Sequence, residues 1–270
     1  MLARLLFCCL MLYAAGAASA PEGPRPDSGC GELHVSFYEL GALYYRDANG
    51  DWAGIDKDII DELARRLGCR FIPNTDSRVR IWTNLALGKL DMTVSGIATP
   101  EREKLVQVVP YMVDRNFVML RPDAAANIDS LESFLAAPEY KVAVIKSFRH
   151  GAIYDAWLDK LRAQGRVYET SDYTSLLRLF RLRRVDAVLA PGVSWMPIVQ
   201  QEQMVGQYRL MDWAPKDNFV AGLVLSRRRV QEASVAQFRR AIQNMRDDGT
   251  LKAIFERHVG PELAAIMVNY

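Results

Sequence analysis

The chain is poor in the residues that usually announce chemistry. It has 3 histidines in 270 residues, His34, His150 and His258, and their positions carry no metal-ligand spacing. Its 34 Lys and Arg nearly cancel 32 Asp and Glu, and a formal charge of +2 gives no sign of a nucleic-acid surface. Serine nucleophile elbows, cysteine–histidine pairings and phosphate-binding glycine loops are missing, so neither an enzyme nor a cofactor is expected. There is no internal repeat and no low-complexity tract. Past the N-terminal segment no apolar run approaches the ~20 residues of a membrane helix. Cysteine is scarce as well, with 4 in all.

What is present begins with an export signal. Arg4 supplies positive charge, Leu5 to Leu12 and the alanines beyond form a short apolar core, and small residues through Ala20 offer cleavage sites. Pro21 follows Ala20 directly, so cleavage after Ala18 or Ser19 is expected at least as readily. Residues 1–20 are thus expected to be a signal peptide, and the proline- and glycine-rich 21–31 a mobile leader. Asp27 stands where a lipoprotein site wants an apolar residue, and Cys30 lies far beyond the apolar core, so a soluble periplasmic protein is expected. Cys8 and Cys9 leave with the signal. The remaining Cys30 and Cys69 suggest one disulfide, the alternative being two buried thiols.

The mature chain of about 240 residues suffices for two compact lobes or one large domain. Leu33 to Phe37 reads as a strand, and Asp47 to Asp51 as a polar turn with Gly50. Asp56 reads as the cap of a helix with apolar face Ile59, Ile60, Leu63, Ala64 and Leu67, ended by Gly68. Strand Cys69–Ile72, helix Val79–Leu87 and strand Met92–Ser95 follow. This alternation predicts parallel pairing in a layered α/β lobe, with Cys30 and Cys69 just before neighbouring strands. The pattern recurs as strand Lys141–Ile145, helix Ile153–Arg162, strand Val167–Glu169, helix Ser175–Leu182 and strand Asp186–Leu189. Asn116–Leu120 and Asn218–Leu225 are extended and apolar and read as two crossings, so the second lobe is inserted into the first. Helices Val230–Met245 and Thr250–His258 close the chain. The expected lobes are 32–117 with 220–270, and 118–219, hinged about a cleft that the carboxyl ends of the strands face.

Gly88 to Arg102 concentrates the chemistry. A strand stops at a small-residue turn, and the helix start after it carries Arg102. Such a turn presents free backbone N–H groups, and a guanidinium grips a carboxylate through two parallel hydrogen bonds. The alternative is an ordinary strand-turn-helix with a solvated arginine.

In order and spacing these residues resemble the extracytoplasmic solute-binding proteins of ABC importers, in the amino-acid-binding branch (family 3). The resemblance runs through Ala53-Gly54-Ile55-Asp56-Lys57-Asp58, Gly88-Lys89-Leu90-Asp91, Gly96 with Thr99-Pro100-Glu101-Arg102, and Val109-Pro110-Tyr111. It continues through Arg184 to Leu189 and the tail Asp248 to Phe255. It implies a two-lobe clamshell of type II, monomeric, that closes on a small solute and hands it to a membrane permease. It implies that Arg102 binds the solute carboxylate, assisted by groups at Ser95, Gly96 and Ala98. It also implies that the turn Tyr38-Glu39-Leu40-Gly41 and the segment Lys146-Ser147-Phe148-Arg149-His150 line the cleft.

The chain departs from that pattern. Ala98 stands where a hydroxyl is common, with Thr99 as a substitute, and Arg78 stands at an aromatic wall position. Pro191, followed by Gly192, Val193, Ser194 and Trp195, occupies the place of the acid that holds an amino-acid ammonium. Glu39 is then the remaining candidate for that charge, its alternative being a solvated turn residue. Arg78, Arg102 and Arg149 facing one crevice would favour a ligand with more than one acidic group; otherwise Arg78 and Arg149 are surface charges. Tyr38, Phe148 and Trp195 read as stacking walls or core fillers, and Trp82, on an apolar helix, rather as core. Tyr44 and Tyr45 are candidates to cover one mouth of the cleft, and His150 is a hydrogen-bonding group beside it. Two other functions stay open: a sensor partner for a membrane receptor, and a dehydratase of cyclic acids with Glu39 as general acid.

Overall fold

The computed structural model describes residues 30–194 and 206–269. The expected signal peptide, the leader up to residue 29, Trp195 and Tyr270 lie outside the described residues. In chain order the first elements are β1 (Glu32–Phe37), a hairpin of β2 (Tyr45–Arg46) and β3 (Trp52–Ala53), α1 (Ile55–Leu67), β4 (Arg70–Thr75), α2 (Arg78–Ala86) and β5 (Met92–Ile97). There follow α3 (Pro100–Glu103), β6 (Val106–Leu120), α4 (Leu131–Ala136), β7 (Val142–Ile145), α5 (Ala152–Ala163) and β8 (Val167–Thr170). The last are α6 (Tyr173–Arg181), β9 (Ala187–Pro191), β10 (Arg209–Met211), β11 (Asn218–Ser226), α7 (Glu232–Asp247) and α8 (Thr250–Met267). Within α8, Gly260 breaks the helix just before Pro261, which explains why a helix legible from Thr250 read as ending at His258.

The strands form one mixed sheet in the order β4-β1-β5-β11-β6-β9-β7-β8, with β10 also on β6. β1 pairs parallel with β4 and β5, as β7 does with β8 and β9, so each half of the sheet has the expected parallel core. The halves are joined by β6, about 50 Å long at ~3.3 Å per residue. Val106 to Arg115 pairs antiparallel with β11, and Asn116 to Leu120 pairs with β9. β11 therefore lies beside the first part of β6 and against β5, and the chain returns to it through residues 212–217. The sequence reading placed that return later, at Asn218–Leu225. A strand buried along most of its length looks the same whether it crosses between lobes or lies within one.

Asp56 corrects a second expectation. The cap of α1 is Gly54, at φ 126°, and a Cβ there would lie 2.4 Å from the Leu43 carbonyl oxygen. Asp56 is instead one residue inside the helix and is turned inward, 1 % exposed. A bulge in β6 meets it from the other side. Ala221 pairs with Met112 and Gly222 with Pro110, so Tyr111 is skipped by the ladder. Its hydroxyl donates to Asp56 Oδ1 at 2.6 Å.

One apolar cluster fills the first half and runs under β7 and α6 to the second. Another lies on the opposite face of the second half, where Phe134 meets Trp157 edge-on at 5.2 Å. Cys30 and Cys69 form a disulfide with Cα atoms 5.6 Å apart, just before the paired ends of β1 and β4. It closes a loop 39 residues apart in sequence. Chain entropy assigns such a bridge about 4 kcal/mol. The double variant Cys30→Ser, Cys69→Ser should lose about 3–4 kcal/mol of unfolding free energy in a urea titration; a loss under about 1 kcal/mol would show that the bridge holds nothing the fold does not already hold.

Candidate functional site

The turn after β5 delivers Arg102. Thr99 caps α3 by accepting from the Arg102 backbone N–H at 3.3 Å, which turns the guanidinium back over the strand end. Arg102 Nη1 donates to the Ile97 carbonyl at 3.0 Å, and Nη2 to the Ser147 carbonyl at 2.9 Å. The guanidinium carbon lies 3.9 Å above the Trp82 ring. Arg102 thus bridges the two halves, because Ser147 follows β7. Burial and then the charges of Arg78 and Arg149 pull its pKa from 12.5 down to about 9, so it remains cationic at neutral pH.

Arg78 and Trp82 lie one turn apart on α2 and present one wall. Arg78 is buried, 4 % exposed, and donates to the carbonyls of Val94 (3.3 Å) and Ser95 (3.1 Å). Its guanidinium lies 5.0 Å from the Tyr38 ring and 5.4 Å from the Phe148 ring. Burial lowers its pKa, which the charge of Asp56 partly offsets. Behind this wall Asp56 Oδ1 accepts from the hydroxyls of Tyr111 and, at 2.7 Å, Ser95. The Ser95 backbone N–H donates to the Tyr111 hydroxyl at 2.7 Å. The Ser95 side chain therefore serves the interior, while its carbonyl holds Arg78. Gly96 is required by packing, since a Cβ would lie 2.1 Å from Val224 Cγ2.

The opposite wall comes from the segment after β7. Ser147 and Phe148 lie there with Arg149, which is exposed at the rim. His150 anchors this segment. Asn116 Nδ2 donates to the His150 carbonyl at 2.9 Å, so Asn116 Oδ1 must accept from His150 Nδ1, also at 2.9 Å. Burial presses the pKa of the imidazole down to about 3, so the ring is neutral, with its proton on Nδ1. Two residues earlier on β6, Asp114 Oδ2 accepts from the Val193 N–H at 3.2 Å and ties down the end of β9.

Between these walls lies a narrow cavity that opens to solvent. It is lined by Arg78, Ser95, Gly96 and Arg102 from the first half, with Ser147, Phe148 and Arg149 from the second. Trp82 and Ile97 complete the lining. Of the other expected residues, Tyr38 stands behind Arg78, and its buried hydroxyl has no partner among the described residues. Ala98 and Glu39 are exposed and do not line the cavity. Pro191 is buried in the ladder opposite Asn116. Tyr44 covers no mouth; it stacks between Phe37 and Trp52 at 4.4 Å from each. Tyr45 turns away as well, its hydroxyl 3.4 Å from His258 Nδ1. Sequence reasoning undervalued Trp82, for which the spacing from Arg78 was the available signal, and missed the roles of Asp56 and Tyr111, for which there was none.

The family described as bacterial extracellular solute-binding proteins, family 3, matches residues 40–261. No curated protein matches the sequence. Among solved structures, the arginine-, lysine-, histidine-binding protein ArtJ of Geobacillus stearothermophilus is 16% identical, covering 87% of this chain and 99% of its own, with a TM-score of 0.71. An ancestral arginine-binding protein bound to glutamine is 21% identical over 85% of this chain and 98% of its own, with a TM-score of 0.72. An ancestral amino acid-binding protein that is a precursor of cyclohexadienyl dehydratase is 21% identical over 84% of this chain and 95% of its own, with a TM-score of 0.70. These likenesses identify the fold as the two-lobe type II clamshell.

The buried groups of the site oppose one another in acid. Burial pushes Asp56 and Asp114 from 3.8 up to about 6, so the stability they contribute is complete below about pH 4 and lost as pH rises through 6. His150 works in the other sense: its contribution is complete above 6.5 and lost as pH falls toward 3. Between pH 7 and 5 the effects nearly cancel, and the melting temperature of the parent should be nearly flat. His150→Gln should leave the carboxylates unopposed, so that its melting temperature rises on acidification from about pH 7 to about pH 5. A variant profile as flat as the parent's would contradict this assignment.

Proposed function

The chain belongs to the bacterial extracellular solute-binding proteins, family 3, and from that premise we propose that it binds a small carboxylate-bearing solute in the cleft and delivers it to the membrane subunits of an ABC importer. In this reading residues 1–20 export a monomer to the periplasm, and lobes 32–117 with 220–270, and 118–219, close about the solute. Amino acids and other organic acids are both within the class.

The observation that carries the reading is the setting of Arg102. One edge of its guanidinium is tethered to Ile97, its face rests on Trp82, and its other edge reaches a carbonyl of the opposite lobe. A carboxylate competes well for that edge, because charge-assisted hydrogen bonds are roughly twice as strong as neutral ones. The solute would then replace a direct lobe-to-lobe bond with a bridge through itself, and its contacts on both walls would favour the closed population. Ser147 and Phe148 supply the second-lobe wall, and Ser95 and Gly96 the floor. No described residue lining the cavity is a carboxylic acid, and Glu39 is exposed and does not line it, which disfavours the dehydratase reading.

A thermal-shift screen of amino acids, monocarboxylates, dicarboxylates and aromatic acids should find a stabilising ligand; at about 100 times Kd it adds about 2.7 kcal/mol. Arg102→Ala should cost about 2–3 kcal/mol of affinity, a rise in Kd of roughly 30- to 150-fold by calorimetry. Equal affinity in parent and variant removes the carboxylate role. Mass spectrometry of the ligand after incubation should show it unchanged, and conversion to product would establish an enzyme instead.

A further inference from the structure

The charge balance of the cavity narrows the ligand beyond a carboxylate. We propose that the cavity selects a small organic acid with two anionic groups and no ammonium group, an inference that rests on Arg102 receiving a carboxylate.

Three guanidinium groups line the cavity, from Arg78, Arg102 and Arg149, and no described lining residue is acidic. The partners of Arg78 and Arg102 are backbone carbonyls of Val94, Ser95, Ile97 and Ser147. Carbonyl dipoles solvate a buried cation but do not neutralise it. The carboxylates that act on the group stand outside the lining: Asp56, behind the wall, offsets part of the charge of Arg78, and Asp155 and Glu101 offset part of that of Arg102. The lining itself thus presents three cations and no acid. Their mutual repulsion is already felt, since Arg78 and Arg149 both press the pKa of Arg102 downward.

A dianion answers that excess and a zwitterion does not. An amino acid would bring an ammonium among three guanidinium groups with no acid to meet it, at the desolvation and repulsion cost of an unpaired buried charge. Beside the serines Ser95 and Ser147, the lining has hydrocarbon and aromatic surface from Ile97, Trp82 and Phe148, which suits a short methylene spacer between the two anionic groups. Arg149, exposed at the rim on the opposite lobe from Arg102, is placed to take the second anionic group.

Matched acids isolate each element. Isothermal titration of the mature chain with succinate against aspartate, and glutarate against glutamate, varies the ammonium alone. Butyrate against succinate tests the second carboxylate, and 2-phosphoglycolate tests a phosphoryl group in its place. The better dicarboxylate, or phosphoglycolate, should bind at least 10-fold more tightly than any of the amino acids or butyrate. Whichever dianion binds tighter identifies the second group. Arg149→Gln should narrow the ratio between dicarboxylate and butyrate about 10-fold. Aspartate or glutamate binding as tightly as its ammonium-free partner, or butyrate as tightly as succinate, overturns the inference; if Arg102→Ala then abolishes that binding, the carboxylate reading survives alone. Binding indifferent to Arg102→Ala, or no binding by any of these acids or by the wider screen, overturns both.

Discussion

β6 runs unbroken for fifteen residues, and three buried side chains near its middle each reach a different part of the cleft. Tyr111, released from the ladder by the bulge beside Pro110, meets Asp56 and holds the turn at Ser95. Asp114 gathers the end of β9. Asn116 fixes the carbonyl and ring of His150, and with them the segment that carries Ser147, Phe148 and Arg149. Because one strand belongs to both halves, the two walls of the cavity are referred to a common backbone. Bending at the crossing moves them as bodies and leaves each wall intact.

The walls themselves are shaped by backbone placed where side chains alone would not put it. Ser95 (φ 49°) and Ser147 (φ 65°) occupy the left-handed region, one on each side of the cavity. Each thereby aims a carbonyl at an arginine, Ser95 at Arg78 and Ser147 at Arg102. Such conformations cost of order 1–3 kcal/mol each and persist where the surrounding contacts compel them. For Ser95 that compulsion is the Asp56–Tyr111 pair. The result is a cleft whose cations are held rigidly by uncharged partners, which keeps their charge available to a ligand.

Sequence pattern alone was enough for the alternation of strands and helices, the two parallel half-sheets, the placing of Cys30 and Cys69 just before neighbouring strands, and the meeting of Arg102 with the turn after β5. All of these follow from local periodicity and from connections that permit one sensible packing. The tertiary structure decided the rest. It turned Asp56 from a cap into a buried acceptor, brought Trp82 beneath Arg102, buried Arg78 in the wall and left Glu39 outside. It also withdrew Tyr44 into an aromatic stack. The direction of a side chain at an element's end depends on which distant strand lies beside it, and no local period records that. The bulge at Tyr111 and the register of β11 on β6 set those neighbours, and they exist once residues more than a hundred positions apart have paired.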